Sequence, residues 1–267
     1  MKYVATKLQA LNTDGVIKPD SDGYFRLLIG ALNVENTNGH VYVASQQAIG
    51  VFDKSSLFQR RVKNGNLRGE WGHPKRLPGM SDEEYIDRMF IVDEANTAVH
   101  YRAIELDMSF GKNNPVHNNP AMVGIMAELK PAGYKEQEAR NMLMNKFENV
   151  CFSLRGFTDD TQNGYRLMRS LRQVMTFDLV CEPGVKTSTK WDTAGAKFDT
   201  RLAMESLDDY EVSRAMMHKA IERAKFSALA TEDSRELMMS VYNDMTARNA
   251  PRNAFQTVNN SSLIARI

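Results

Sequence analysis

Three short stretches of this chain carry residue types that could move a proton or attack a carbonyl. In Gly69-Glu70-Trp71-Gly72-His73-Pro74 a histidine stands between a glycine and a proline. Glycine permits unusual φ and proline fixes its own, so the segment reads as a tight loop that exposes its imidazole. Imidazole is the side chain best suited to proton transfer near neutral pH. In Val150-Cys151-Phe152-Ser153-Leu154-Arg155-Gly156 a serine lies in an apolar, strand-like run. The plain alternative for it is a satisfied core hydroxyl. What singles it out is the Arg155-Gly156 that follows: the glycine can bring backbone N–H groups close to a bound carbonyl, and the arginine adds positive potential where an oxyanion forms. A serine needs a base to become a nucleophile, and His73 is the most plausible one. In Phe177-Asp178-Leu179-Val180-Cys181-Glu182-Pro183 an aspartate sits in apolar text, which is costly unless it is paired. Pairing with an imidazole N–H would fix the histidine tautomer. A salt bridge or a backbone hydrogen bond would satisfy it equally well.

The elements that must hold these residues read mostly as strands up to about residue 185. Runs with strand character start at Tyr24, His40, Thr97, Ala121, Asn149 and Gln173, and Asn38-Gly39 gives a tight-turn signal. Many short strands with long connections predict an antiparallel barrel or sandwich in place of a βαβ fold. Helices interrupt the pattern. Ser81-Asp82-Glu83-Glu84 has capping-box spacing, Lys135 to Lys146 is rich in helix formers, and Gly164 to Arg172 is a third helical stretch. Beyond the polar, punctuated segment 186–205, the text turns helical. Ser206 could cap a helix with Val212, Met216, Ala220, Ile221 and Ala224 on one face, and Thr231 a second with Leu237, Val241 and Met245. The expected division is therefore 1–185, a linker 186–205, and a helical region 206–267 with a flexible tail.

Composition narrows the function classes. The chain has 267 residues, 42% hydrophobic and 25% charged, with a net charge of +1 from 34 basic and 33 acidic residues. That balance lacks the basic footprint of a nucleic-acid binder, and the clusters at 59–63 and 75–76 read as solvated loops. No apolar run approaches the ~20 residues needed to span a bilayer, and the first residues lack the apolar core of a secretion signal. Cys151 and Cys181 read as buried free thiols, with no partner at metal-ligand spacing, so neither a metal nor another cofactor is expected.

Gly-Glu-x-Gly-His-Pro at 69–74, Ser153 followed by Leu154-Arg155-Gly156, and Asp178-Leu179-Val180 with Pro183 resemble, in that order, the tailed-phage prohead proteases. The resemblance covers about residues 24 to 185, and Val123 to Glu128 is similar to the Gly-and-acid strand that precedes the serine in that family. It implies an α+β fold whose core is an antiparallel β-barrel like that of the herpesvirus (assemblin-type) capsid-maturation proteases, with helices around it and a helical C-terminal appendage. It implies a serine endopeptidase that cleaves capsid and scaffold proteins during prohead maturation, inside the prohead in the host cytoplasm, with oligomerisation left open. Ser153 would be nucleophile, His73 base and then acid, and Asp178 the orienting group. Self-trimming after Glu205 or Glu232 follows from the family's habit of cleaving after Glu with a small or aliphatic residue two positions before it, and Glu205–Ser206 is favoured because it adjoins the polar linker. Leu154 departs from the second serine many members have. His100 competes with Asp178, because related viral proteases use a second histidine. His40, His117 and His218 are left unassigned. A non-catalytic capsid scaffold or core protein is the alternative; a hydrolase of small esters is disfavoured by the missing Gly-x-Ser-x-Gly elbow.

Overall fold

A strand with one apolar and one polar face must lay the apolar face on another layer. The protein meets that demand with two sheets and a set of helices. The structure, a computed structural model, describes residues 1–9, 18–36, 39–113, 118–145, 148, 150–180 and 210–249, leaving aside the side chains of 2–9 and 249. In chain order come β1 (Lys2–Gln9), β2 (Phe25–Leu32), β3 (Val34–Glu35), β4 (His40–Tyr42), α1 (Gln46–Val51), α2 (Leu57–Lys63) and β5 (Arg68–Glu70). Then follow α3 (Asp82–Phe90), β6 (Thr97–Asp107), α4 (Phe110–Asn113), β7 (Val123–Pro131) and α5 (Glu136–Met144). The long strands β8 (Cys151–Asn163) and β9 (Arg166–Val180) precede β10 (Tyr210–Glu211), α6 (Arg214–Ala224) and α7 (Glu232–Asn249).

The α+β reading holds, with mostly antiparallel sheets and seven helices among the described residues. Among the described residues the strands pair as a six-stranded sheet, β10-β1-β8-β9-β4-β3, and a four-stranded sheet, β2-β7-β6-β5. Every one of these pairings is antiparallel except β4 with β9, and they close no barrel among the described residues. The sheets meet where β5 crosses β9, through a bridge between Trp71 and Leu179. Period-two alternation sorts the side chains there. Phe152, Leu154, Phe177 and Leu179 join a core with Leu27 and Ile29 of β2. The intervening Ser153 and Arg155 point the other way, as does Asp178, directly opposite Ser153 in the ladder.

A second core lies beneath the helices. Tyr85, Ile86, Met89 and Phe90 of α3 pack with Phe157, Met175, and Met217, Ile221, Leu237 and Val241 of α6 and α7. Charge complementarity reinforces this docking. Arg223 meets Asp87 at 2.9 Å, Arg172 meets Asp244 at 3.0 Å, and Arg60 and Arg248 pair with Glu236 and Asp159. The stretch 59–63 is thus a helix, not a solvated loop, and Arg61 is buried with its Nη1 donating to Met175 O at 2.6 Å.

Other expectations also meet the structure. Ser81 caps α3 in a full capping box with Glu84. Thr231 Oγ1 accepts from Ser234 N ahead of α7. The expected helix at Gly164–Arg172 is instead the start of β9. Asn163 pairs with Arg166, so Gly164 and Tyr165 form a two-residue hairpin turn that needs the φ of +60° at Gly164. The cap of α6 is Ser213, seven residues beyond the expected Ser206, which lies outside the described residues.

Gly69 is required by close approach. A Cβ on Gly69 would lie 2.1 Å from Phe177 O, so β5 seats on β9 only with hydrogen at that position. Gly69→Ala should destabilise the protein by about 3 kcal/mol through overpacking. Gly164→Ala, where a Cβ meets nothing within 4 Å, should cost only about 1 kcal/mol through its positive φ. Urea unfolding of both variants checks the ranking.

Candidate active site

The loop that carries His73 is placed by its neighbours. Strand β5 ends at Glu70, and Gly72 N–H donates to Leu179 O at 2.7 Å while adopting φ +80°. Thr176 Oγ1 donates to Arg68 O at 2.6 Å, and Tyr101 OH donates to Phe177 O at 2.7 Å. The segment 68–72 is thus strapped along β9. Gly72 then turns the chain back, and Pro74 stiffens the exit. The imidazole comes to rest against Asp178, with Nδ1 3.3 Å from Oδ2.

Asp178 is fully buried, and donors reach both of its oxygens. Arg155 grips it with two hydrogen bonds, Nε to Oδ2 at 2.9 Å and Nη2 to Oδ1 at 2.7 Å. Glu70 N–H donates to Oδ1 at 3.0 Å. Burial alone would raise the carboxyl's pKa. The Arg155 charge, the His73 hydrogen bond and the Glu70 N–H outweigh it, so the group is held below the ordinary aspartate value. An ionised carboxylate can only accept. In the neutral imidazole the proton shared with Asp178 therefore sits on Nδ1, which leaves a lone pair on Nε2.

That lone pair is one of two conspicuous atoms. His73 Nε2 and Ser153 Oγ are both buried and have no hydrogen-bond partner among the described residues. Ser153 stands directly opposite Asp178 across the β8–β9 ladder, and the His73 side chain is only 9% exposed. With a serine hydroxyl, an imidazole and a buried carboxylate on one polar face, a neutral imidazole can take the serine proton and the carboxylate can stabilise the resulting imidazolium. The 3.3 Å His73–Asp178 contact is long, as such bonds often are without substrate.

Other expected residues fall differently. Arg155 is not free to face an oxyanion: beyond its grip on Asp178, its Nη1 points at Met89 O and Ile91 O. Gly156 lies inside the ladder, paired with Val4 on one side and Val174 on the other. A Cβ there would lie 2.5 Å from Gln173 O, which is a packing reason for glycine. His100 is occupied elsewhere, with Nδ1 3.0 Å from Tyr24 OH and Nε2 3.0 Å from Gly65 O. Its pKa is lowered, chiefly by burial. His40 lies on β4, and the ring of His218 on α6 lies beside Tyr242. His117, Cys181 and Glu205 lie outside the described residues; Cys151 is buried at the start of β8 and Glu232 opens α7. No group suited to hold a metal ion occurs among the described residues.

Two participants carried no assigned role in the sequence. Glu70 is 1% exposed and lies 3.0 Å from Arg155 Nη2. It accepts from Asp93 N at 2.9 Å and from both terminal nitrogens of Arg88 on α3. The presence of an acid inside the Gly-x-x-Gly-His-Pro loop was the available signal for Glu70. Nothing local pointed to Arg88.

A family model described as the Peptidase S80 family matches residues 3–245. The capsid maturation protease of Pseudomonas phage phiKZ is 28% identical over 214 residues, which cover 78% of this chain and 76% of that protein. A solved structure, the capsid assembly protease of bacteriophage T4, is similar with a TM-score of 0.41 and 15% identity, over 67% of this chain and 98% of that one.

The Asp178 environment sets an acid dependence. A carboxyl whose folded pKa lies below its unfolded value stabilises fully above about pH 4, the range of a free aspartate, and loses that contribution as pH falls through the folded value. Asp178→Asn should therefore be less stable than wild type by roughly 3–5 kcal/mol at neutral pH, since Arg155 stays buried without its main partner. The gap should narrow steadily on acidification below about pH 4. Urea titrations of both proteins across that range measure it, and a constant gap would refute the assignment.

Proposed function

The chain belongs to the peptidase S80 family, and on that premise we propose that it is a serine endopeptidase that matures a phage prohead by cleaving capsid and scaffold proteins. The observation that carries the reading is the one polar face on which His73 bonds Asp178 while His73 Nε2 and Ser153 Oγ remain buried and unpartnered. Similarity to a phage capsid maturation protease over most of both chains supports the substrate class.

In this mechanism His73 Nε2 takes the Ser153 proton as Oγ attacks the scissile carbonyl, and Asp178 stabilises the imidazolium. His73 then protonates the leaving amine, and water repeats the cycle on the acyl-enzyme. Arg155 keeps Asp178 ionised and in place. Cleavage follows glutamate, and the enzyme trims itself at Glu205–Ser206 or Glu232–Asp233. The second bond lies at the start of α7, where fraying one turn costs less than melting a helix interior.

Ser153→Ala should lose on the order of 10⁶ in kcat, and His73→Ala about as much, because the pair acts as one unit. Asp178→Asn should lose on the order of 10⁴. A fluorophosphonate reagent should label wild type at Ser153 and leave His73→Ala unlabelled; normal processing by folded Ser153→Ala would end the peptidase reading. Self-trimming is tested separately by denaturing mass analysis. Wild type should lose its C-terminal segment, and both Ser153→Ala and the matching Glu205→Gln or Glu232→Gln variant should stay full length.

A further inference from the structure

The acid-base machinery sits at one end of a longer row of buried charges. From His73 the row runs through Asp178, Arg155 and Glu70 to Arg88. The spacings are 3.3 Å for His73 to Asp178, 2.7 Å for Asp178 to Arg155, 3.0 Å for Arg155 to Glu70 and 2.7 Å for Glu70 to Arg88. Arg155, Glu70 and Asp178 are essentially without exposure, and Arg88 is 22% exposed. Signs alternate along the row, and the two cations balance the two anions.

The alternation meets a difficulty that the Asp178–Arg155 pair creates. A guanidinium bonded to both oxygens of the orienting carboxylate neutralises much of the field that the carboxylate exerts on His73. Glu70 lies against the same guanidinium nitrogen and returns negative potential to the row. Arg88 in turn balances Glu70, which would otherwise be a second uncompensated buried anion. Glu70 also touches the site through its main chain, because its N–H donates to Asp178 Oδ1.

We propose that Glu70 and Arg88 are positioning residues that set, through Arg155 and Asp178, the proton affinity of His73. The proposal rests on the peptidase reading for its catalytic meaning, though its electrostatics can be measured without it. The other described groups around the row stay fixed in the comparison. Arg61 of α2 bonds Met175 O and lies 4.0 Å from Asp233 of α7. Tyr101 of β6 bonds Phe177 O. On α3, Asp87 faces Arg223.

Opposite charges in one row make opposite predictions. Glu70→Gln leaves an excess positive charge, so His73 should titrate at lower pH. Arg88→Gln leaves an excess negative charge, so it should titrate at higher pH. Each shift should be on the order of one pH unit, and the double variant should return close to the parent. Two readouts apply to the full-length chain. One is NMR titration of ¹³C-histidine in the Ser153→Ala background, with the His73 signal identified by its loss in His73→Asn. The other is the rate of Ser153 labelling by diisopropyl fluorophosphate against pH in the Ser153-intact chain, where the serine oxygen bonds phosphorus as fluoride leaves. Opposed shifts in both readouts support the proposal. Shifts in one direction, or none, in folded variants overturn it and leave a purely structural pair. Absence of labelling in wild type counts against the peptidase reading, and the NMR titration then still decides this proposal. If circular dichroism shows that Glu70→Gln does not fold, the partly exposed Arg88→Gln decides alone: an upward shift supports the proposal, and any other result overturns it.

Discussion

The bidentate contact between Arg155 and Asp178 is the interaction on which the rest of the site depends. An isolated carboxylate inside a sheet would take up a proton sooner than stay charged. An isolated guanidinium cannot give one up. Each therefore makes the other tenable, and neither tolerates loss of its partner. They come from adjacent strands, β8 and β9, whose ladder fixes their separation before any side chain chooses a rotamer. The tautomer of His73, the lie of the 68–72 segment and the aim of the α3 carbonyls all follow from this pair.

The two cores explain why that pair can be so deep. One face of β8 and β9 lies on the β2 side of the molecule, and the other is roofed by α3, with α6 and α7 behind it. A polar cluster between two apolar layers sees little water, so its interactions are strong and its unmet needs are costly. Around Asp178 and Arg155 those needs are met by Glu70, His73 and the carbonyls at the end of α3. Met89 O and Ile91 O, at the end of α3, lie close to Arg155 Nη1, and Ile91 O accepts from Arg88 at 3.1 Å.

Much of this was legible in the residues. His73, Ser153 and Asp178 each stood out through local grammar: a glycine–proline loop, a serine before Arg-Gly, and an acid in apolar text. Strand alternation located most of the sheets, and Ser81 with Glu84 announced α3. What escaped was decided at long range. Residues 166–172 contain good helix formers, yet pairing with β8 makes them strand, because partners across a ladder override intrinsic preference. In sequence α6 reads as capped by Ser206, yet its cap is Ser213. A short strand, β10, intervenes and pairs with β1, a contact no local window contains. Arg155 reads as electropositive, but its contact with Asp178 across the ladder is visible in no local window.

The docking of α6 and α7 separates two events that are easily run together. Hydrolysing one peptide bond between 181 and 209 would cut the covalent link and leave the buried apolar contacts with α3 untouched. The ion pairs of Arg60, Arg172, Arg223 and Arg248 would also survive the cut. What changes is the concentration dependence. Before the cut the helices are held at an effective concentration set by the chain; afterwards their association obeys mass action. A nicked molecule in a small closed volume would stay whole, and the same molecule diluted into bulk solution would come apart.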